Sequence, residues 1–549
     1  PRNAIRNFKK YFKKKKESAL IMRKQTKLVA VLSAAALLAI GASMTSFAAA
    51  GWQEENGTWV YYDKDGYQVS DQWQKSGNTW FYLNSDGEMA TDTIIEDDDN
   101  TYYVDANGAM VTNQWIQVEN SDSYGDDDPD YFWYYFQANG KAYKAPTSGK
   151  TSFKNINGKK YTFDSEGKML YGWINTESER QTGDDAWTNG TYFCGDENDG
   201  AQANGWAQIS VVDDSQDDPD QDYYFYFDTN GKKVVGKEDG SELKSKTING
   251  LKYSFDKNGK MVSEWAMPKA SKTEASISSY NYFNLPEQGW RAKGWFNVVP
   301  QEDVNPDDNA DDASKWFYAE NDGDLVKSEI KTINSKKYAF NAKGEMLSGV
   351  QALAMTSNTK IVGSNGIGDA DKVDLLKNGK LEVENYENKE VKYVIGDNSD
   401  SVNVYVYYFG AGSDGSMKTG NQNIDIDGDV YAFSFGKSGS NKGRGLNETK
   451  DTLYVNGLRI KADSDMRYQV YSMSKGALVE DPADFIGETD TYVVNTSGSI
   501  MKNKKNLKDT DDMYICTDKD GHIRGYSDIK CGTKADKDGK GAYTCKYHE

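Results

Sequence analysis

The side chains of this chain best suited to hold a ligand are aromatic, and they recur in a fixed frame. Pairs two residues apart occur at Trp59/Tyr61, Trp80/Tyr82, Trp133/Tyr135, Tyr224/Tyr226 and Trp316/Tyr318. Tyr103 holds the same place in a copy whose other position is Thr101. Single tryptophans stand in the intervening segments at Trp73, Trp115, Trp173, Trp206, Trp265 and Trp295. Two rings on one exposed strand face and a third from the next segment make an open aromatic pocket. Such a pocket attracts a quaternary ammonium by cation–π contact, about 0.5–2 kcal/mol per ring according to desolvation. It also stacks on the flat apolar face of a sugar ring. For any one of these residues the alternative is plain packing between neighbouring elements.

Other chemistry finds less support. The acid-rich stretches DDDPD (126–130), DDPDQD (217–222) and NPDDNADD (305–312) offer carboxylates for Ca²⁺. None has the spacing of an EF-hand loop with its terminal Glu, and they read as solvated loops. GKT at 149–151 has Lys144 where a phosphate loop needs its first glycine. The only histidines, His522 and His548, lie near the C-terminal end, so a Ser/His or Cys/His centre is not expected. Cys516, Cys531 and Cys545 cluster there as well, apart from Cys194. One disulfide among the three and free thiols both stay open, and no compact pair points to zinc. No catalytic residue, cofactor or metal ligand is assigned.

The elements that must carry the rings are repeats. WVYYDKDG (59–66), WFYLNSDG (80–87) and TYYVDANG (101–108) end in glycines spaced by 21. The unit returns as WYYFQANG (133–140), KYTFDSEG (160–167), YFYFDTNG (224–231), KYSFDKNG (252–259), WFYAENDG (316–323) and KYAFNAKG (337–344). Aromatic and β-branched residues supply strand, Asp or Asn opens a turn, and Gly closes it at positive φ. A lone hairpin is marginal, so the expected fold is all-β, an extended solenoid of stacked hairpins. Side chains alternate across a strand. Six and four residues before the turn glycine every copy is apolar, as at Val60/Tyr62, Phe81/Leu83 and Tyr253/Phe255, and this face is the expected core. Seven and five before it the aromatic pairs alternate with Lys160/Thr162, Lys252/Ser254 and Lys337/Ala339. A face that accepts lysine is partly exposed, so rings placed there are free to bind. Residues 351–400 break the pattern and are expected to include a short helix. Residues 401–549 read as degenerate hairpins with a Cys-containing tail, and residues 351–549 hold no Trp.

Residues 1–21 are expected to lie upstream of the true start. Residues 22–50 have a basic Arg23/Lys24/Lys27 region, an apolar run from Leu28 to Ile40 and small residues for cleavage, the pattern of a secretory signal peptide. No later stretch is long and apolar enough to span a bilayer, so no membrane span is expected after cleavage. The chain has 65 Lys/Arg and 85 Asp/Glu. Residues 1–50 hold eleven basic residues and one acidic, which leaves residues 51–549 with a net charge of −30. Such a surface disfavours nucleic acid, which needs basic contacts, and suits cations.

The pattern W-x-Y-x-D-x-x-G-x-M followed by G-W or Q-W, carried by WFYLNSDGEM (80–89), KYTFDSEGKMLYGW (160–173) and KYSFDKNGKMVSEW (252–265), resembles the cell-wall-binding repeat family. That family includes the choline-binding repeats of Gram-positive surface proteins and the related glucan-binding repeats. The resemblance covers most of 51–350 and, more weakly, 401–526. It implies a secreted, wall-associated, non-catalytic binding protein whose partner is a choline-bearing wall polymer or a glucan-like polysaccharide. Choline-type sites in the family take two aromatics from one hairpin and one from the next. Thr101, the lysine-type hairpins and Val350 depart from that rule. The competing expectations are a structural or adhesive surface protein with the repeats as spacer, and an enzyme with an unrecognised catalytic region in 351–549.

Overall fold

The computed structural model describes residues 50–121, 129–270, 276–396, 401–447 and 450–532. The expected signal segment, the centre of the first acidic insertion and Cys545 lie outside them. The chain divides into two units, one of Pro1–Ala270 with Phe283–Arg291, the other of Ser271–Tyr282 with Ala292–Glu549. Both are built from antiparallel strands, the first mostly as two-stranded hairpins and the second with sheets of three and four strands as well.

In the first unit the hairpins follow one another along the chain. Gly51–Glu55 pairs with Thr58–Tyr62, Gln72–Ser76 with Thr79–Leu83, and Thr93–Asp97 with Asn100–Val104. Gln114–Glu119 then pairs with Tyr131–Phe136, Gly205–Val212 with Asp220–Phe227, and Lys244–Ile248 with Leu251–Phe255. Where the two strands are joined tightly, the loop is a separate signal from the D-x-x-G motif. Asn56-Gly57, Asn157-Gly158 and Asn249-Gly250 turn the chain with positive φ at both residues, the two-residue geometry that matches strand twist. The D-x-x-G turn comes after the second strand and starts a return segment. There Asp63 Oδ1 accepts from the N–H groups of Asp65 and Tyr67, both at 2.9 Å, and Asn84, Asp105, Asp164, Asp228 and Asp256 repeat the arrangement.

The return segment joins hairpin to hairpin. Met89 N–H donates to Trp59 O of the previous hairpin at 2.7 Å, and Ala90 N–H to Tyr82 O of its own at 2.9 Å. Met110 to Trp80, Met169 to Trp133, Lys233 to Thr191 and Met261 to Tyr224 repeat the first bond. The side chain at that position lies over the next turn glycine. A β-carbon at Gly108 would sit 2.7 Å from Met89 Sδ, and one at Gly140 2.5 Å from Met110 Sδ. These glycines are thus fixed by positive φ and by their neighbour together.

The face four residues before the turn glycine is core, as expected. Leu83, Val104, Phe136, Phe227 and Phe255 are fully buried. The face five residues before it is less open than its composition implied. Thr162 and Ser254 are buried, because the return segment crosses over them, as in the bond from Leu170 N–H to Thr162 O.

The second unit opens with two hairpins of the same kind, Gly294–Val298 with Lys315–Ala319 and Glu329–Ile333 with Lys336–Phe340. Beyond them Val350–Met355 is the centre of a three-stranded sheet between Ile361–Ile367 and Asn403–Tyr408. The helix Ala370–Lys377, capped by Asp369, buries Val373 and Leu376 in an aliphatic core with Val383, Val404, Phe433 and Ile460. Among the described residues no helix is long and apolar enough to cross a membrane.

Two outcomes follow. Phe255→Ala removes a fully buried ring packed with Trp206, Tyr253 and Met261, and should cost about 3–5 kcal/mol, read as a lowered urea midpoint. Burial raises the phenols of Tyr103, Tyr134 and Tyr223, and pushes Tyr161, Tyr386 and Tyr471 up to about 12. A group whose folded pKa is raised contributes stability that is whole below its unfolded value and lost as pH rises through the folded one. The fold should therefore hold up to about pH 10 and unravel between about pH 10 and 12. Far-UV circular dichroism should be lost across that window; dichroism intact above about pH 12 refutes this.

Candidate ligand-binding aromatic cages

Antiparallel register decides which rings meet. Each first-strand tryptophan faces the ring five residues before the turn on its own second strand, giving Trp52 opposite Tyr61, Trp73 opposite Tyr82, Trp115 opposite Tyr135, Trp206 opposite Tyr226 and Trp295 opposite Tyr318. Their ring centroids are 5.4, 5.2, 5.2, 5.2 and 5.2 Å apart, all edge-to-face. The same tryptophan touches the next hairpin six residues before its turn. Trp52 lies 5.4 Å from Phe81, Trp73 5.1 Å from Tyr102, Trp115 4.8 Å from Tyr161, Trp206 4.8 Å from Tyr253 and Trp295 4.8 Å from Tyr338. Met169, Met261 and Met346 pack into the Trp115, Trp206 and Trp295 clusters. Each cage is thus two rings of one hairpin and a ring of the next, and the Trp115, Trp206 and Trp295 cages add a thioether.

The ring seven residues before the turn stands at the rim. Trp316 is 6.3 Å from Trp295. Trp133 joins the Trp115 cluster and Tyr224 the Trp206 cluster. Trp59 is half-buried, and Trp80 is the most open at 39% exposed, with Lys75 Nζ 5.6 Å above its ring. Trp73, Trp115 and Trp295 are half-buried, Trp206 is 8% exposed and Trp173 6%.

The spacing predicts two rings of a strand grouped with the tryptophan of the following segment, as in Trp59, Tyr61 and Trp73, and the structure arranges these rings differently. Tyr61 meets Trp52, while Trp73 meets Tyr82 and Tyr102. The reason is that a strand tryptophan pairs forward, with the strand after it. Trp52 and the rings at 81, 102, 161, 253 and 338 complete the cages and are absent from the expected set; the last five sit on the face read as core. Trp52 was findable, since Trp52, Trp73 and Trp115 lie 21 and 42 residues apart. Ile94 occupies the intermediate place opposite Tyr103, so that hairpin has no tryptophan. Tyr103 is buried and donates to Asp92 Oδ1 at 2.5 Å. Trp265 is half-buried in the first unit, and Val350 is buried in the second.

Charge favours a cation at the Trp73 cage. Asp97 Oδ2 accepts from Trp73 Nε1 at 3.2 Å. Burial raises the phenols of Tyr82 and Tyr102, followed by the carboxylates of Asp71 and Asp97 at Tyr82 and of Asp97 and Asp98 at Tyr102. Lysines reach other cages from outside: Lys246 Nζ is 5.4 Å over Tyr226, and Lys154 Nζ 5.7 Å over Tyr143. Asp518, Asp520 and His522 form the one metal-capable group among the described residues. Asp518 already binds Arg524 and its own turn, and His522 Nδ1 lies 2.6 Å from Thr491 O. Burial raises the Cys194 thiol, which leaves it unreactive.

The geometry defines a hairpin-repeat protein with aromatic cages between successive repeats. Residues 69–115 match the family model of the choline-binding repeat, and residues 151–169 that of the putative cell wall binding repeat. Those two segments carry a choline-binding-type and a cell-wall-binding-type repeat. Similar solved structures are CbpJ of Streptococcus pneumoniae (17% identity, 72% of this chain and 100% of that one, TM-score 0.33) and choline binding protein F of the same organism (17%, 73% and 100%, TM-score 0.30). The modular autolysin LytC of Streptococcus pneumoniae is 18% identical over 56% of this chain, with TM-score 0.31; the match spans about half the autolysin, 55% of its chain. No curated protein matches this chain.

Trp295→Ala removes the ring shared by Tyr318, Tyr338 and Phe340, and should cost about 3–5 kcal/mol. Trp80→Ala, at an open rim, should cost under about 1 kcal/mol. Paired urea titrations check the contrast, which equal costs would contradict.

Proposed function

We propose that this protein is a non-catalytic, secreted binding protein held at the cell envelope by its aromatic cages, with a choline-bearing wall polymer as partner. The observation that carries the reading is the recurrence of one cage, two rings from a hairpin and one from the next, with a methionine at the Trp115, Trp206 and Trp295 cages. The family matches at 69–115 and 151–169 support the same reading. A quaternary ammonium fits because its charge is diffuse and its methyl groups meet ring faces with little desolvation cost. The high negative charge and Asp97 beside Trp73 agree with a cationic ligand rather than a neutral glucan. Several weak cages on one polymer bind jointly, so modest single-site affinity suffices for retention.

The test is retention of the intact protein on choline-agarose, dextran and purified Gram-positive wall. Retention on choline-agarose and wall, with elution by free choline, is expected. Combined Trp73→Ala and Trp115→Ala should lower retention at least tenfold while the second unit stays folded. Loss on all three supports would remove the binding reading; retention on dextran alone would move it to glucan.

A second reading has its own observation. Residues 350–532 build an aliphatic core and sheets of three and four strands with no tryptophan, a body suited to contacting a protein partner. In that case the alanine double variant keeps envelope association unchanged.

A further inference from the structure

One cage differs from the rest. Trp173 faces Phe193 across its hairpin at 5.0 Å and meets Phe225 of the next at 5.2 Å, the spacing of the other cages. Two positions are changed. Thr191 stands at the rim place that Trp59, Trp133 and Trp316 hold elsewhere, as shown by the bond from Lys233 N–H to Thr191 O. Lys233, two residues past its turn glycine, stands where Met89, Met110, Met169, Met261 and Met346 stand in the other cages.

The Lys233 side chain runs inward. Its stem covers Gly259, where a β-carbon would lie 2.8 Å from Lys233 Cδ. Its ammonium is 5.0 Å from the Trp173 ring centre and 6.0 Å from that of Phe225. It donates to Trp187 O and, at 3.4 Å, to Thr188 O, carbonyls of the short helix Ala186–Asn189. Lys233 is 7% exposed. Lys246 and Lys154, by contrast, are half-exposed and lie over tyrosines at cage edges. A buried ammonium requires partners, and here they are two aromatic faces and two carbonyls. These are the groups that would greet an external organic cation.

We propose that the Trp173 cage is self-liganded: Lys233 supplies from within the ammonium that the other cages take from outside, so this interface is closed to ligand. The inference rests on the proposed binding of a quaternary ammonium by the other cages. Trp187 and Ala186 pack on Trp173, and the cavity that these three line with Ser210 and Asp222 has neither Lys233 nor Phe193 nor Phe225 in its wall. Burial lowers the Lys233 ammonium to about 8, against a smaller opposing pull from Asp256; the rings and carbonyls around it favour the charged form and so work against that burial.

The test is fluorine NMR of the full chain labelled with 5-fluorotryptophan, with Trp173 assigned through Trp173→Phe and choline chloride as the probe. Choline should shift the Trp73, Trp115 and Trp295 signals and leave Trp173 in place. Raising pH should move the Trp173 signal with a midpoint near 8, and Lys233→Gln should abolish that movement. In Lys233→Ala the emptied cage should make Trp173 respond to choline. A Trp173 response to choline in the unaltered protein overturns the proposal whether or not a variant folds. So does a pH titration unchanged by Lys233→Gln, or a folded Lys233→Ala indifferent to choline. If no tryptophan responds to choline, the binding reading fails, and self-liganding is then judged by the pH titration and its loss in Lys233→Gln.

Discussion

The N–H two residues beyond each turn glycine holds the first unit's repeats in place. A two-stranded hairpin buries too little to persist alone. That N–H binds the preceding hairpin while the next residue's N–H binds its own, as Met89 and Ala90 do with Trp59 and Tyr82. Two adjacent amides with opposite allegiances fix the step from one hairpin to the next. The step then fixes the rings: each strand tryptophan meets an aromatic of its neighbour at 4.8–5.4 Å. A slip of one residue along either strand would turn every ring to the opposite face. The cages are therefore a by-product of backbone pairing, and the sequence has only to place aromatics at positions the pairing has already brought together.

Much of this was legible from spacing. The repeated turn glycines at 66, 87 and 108 reveal the hairpins, and apolar Leu83, Phe136 and Phe255 reveal the buried face. Partnership between rings was harder to read. Period two says which side of a strand a ring occupies but not which strand lies opposite, so spacing alone does not pair Trp73 with Tyr82 and Tyr102. Tyr161 and Tyr253 look like core and are buried, Tyr102 and Tyr338 are only half-buried, and one edge of each of the four walls a cage. Burial at Thr162 and Ser254 comes from a return segment, a tertiary effect that no pattern along a single strand records.

Open and closed cages differ by little. Trp173 and Trp206 are nearly equally buried and make nearly equal ring contacts with their neighbours. What separates them is the residue over the next turn glycine, Lys233 in one and Met261 in the other. A methionine fills the floor of a cage without charge and adapts to what lies above it. A lysine brings its own cation. In a chain with so large a negative charge, one well-placed lysine alters a site more than the surrounding field does.

The methionines also give the array a chemical weak point. Met89, Met110, Met169, Met261 and Met346 each lie over the next turn glycine so closely that a single added carbon would collide with the sulfur or its methyl. Oxidation to the sulfoxide adds a polar oxygen to that sulfur, at the joint where two hairpins touch. Gln68, Gln202 and Lys233 fill the same role at their joints and have no sulfur to oxidise. Peroxide should thus part the array at its methionine joints first, with sulfoxide mapped by peptide mass rising as wall retention falls, and a reductase for methionine sulfoxide would restore both.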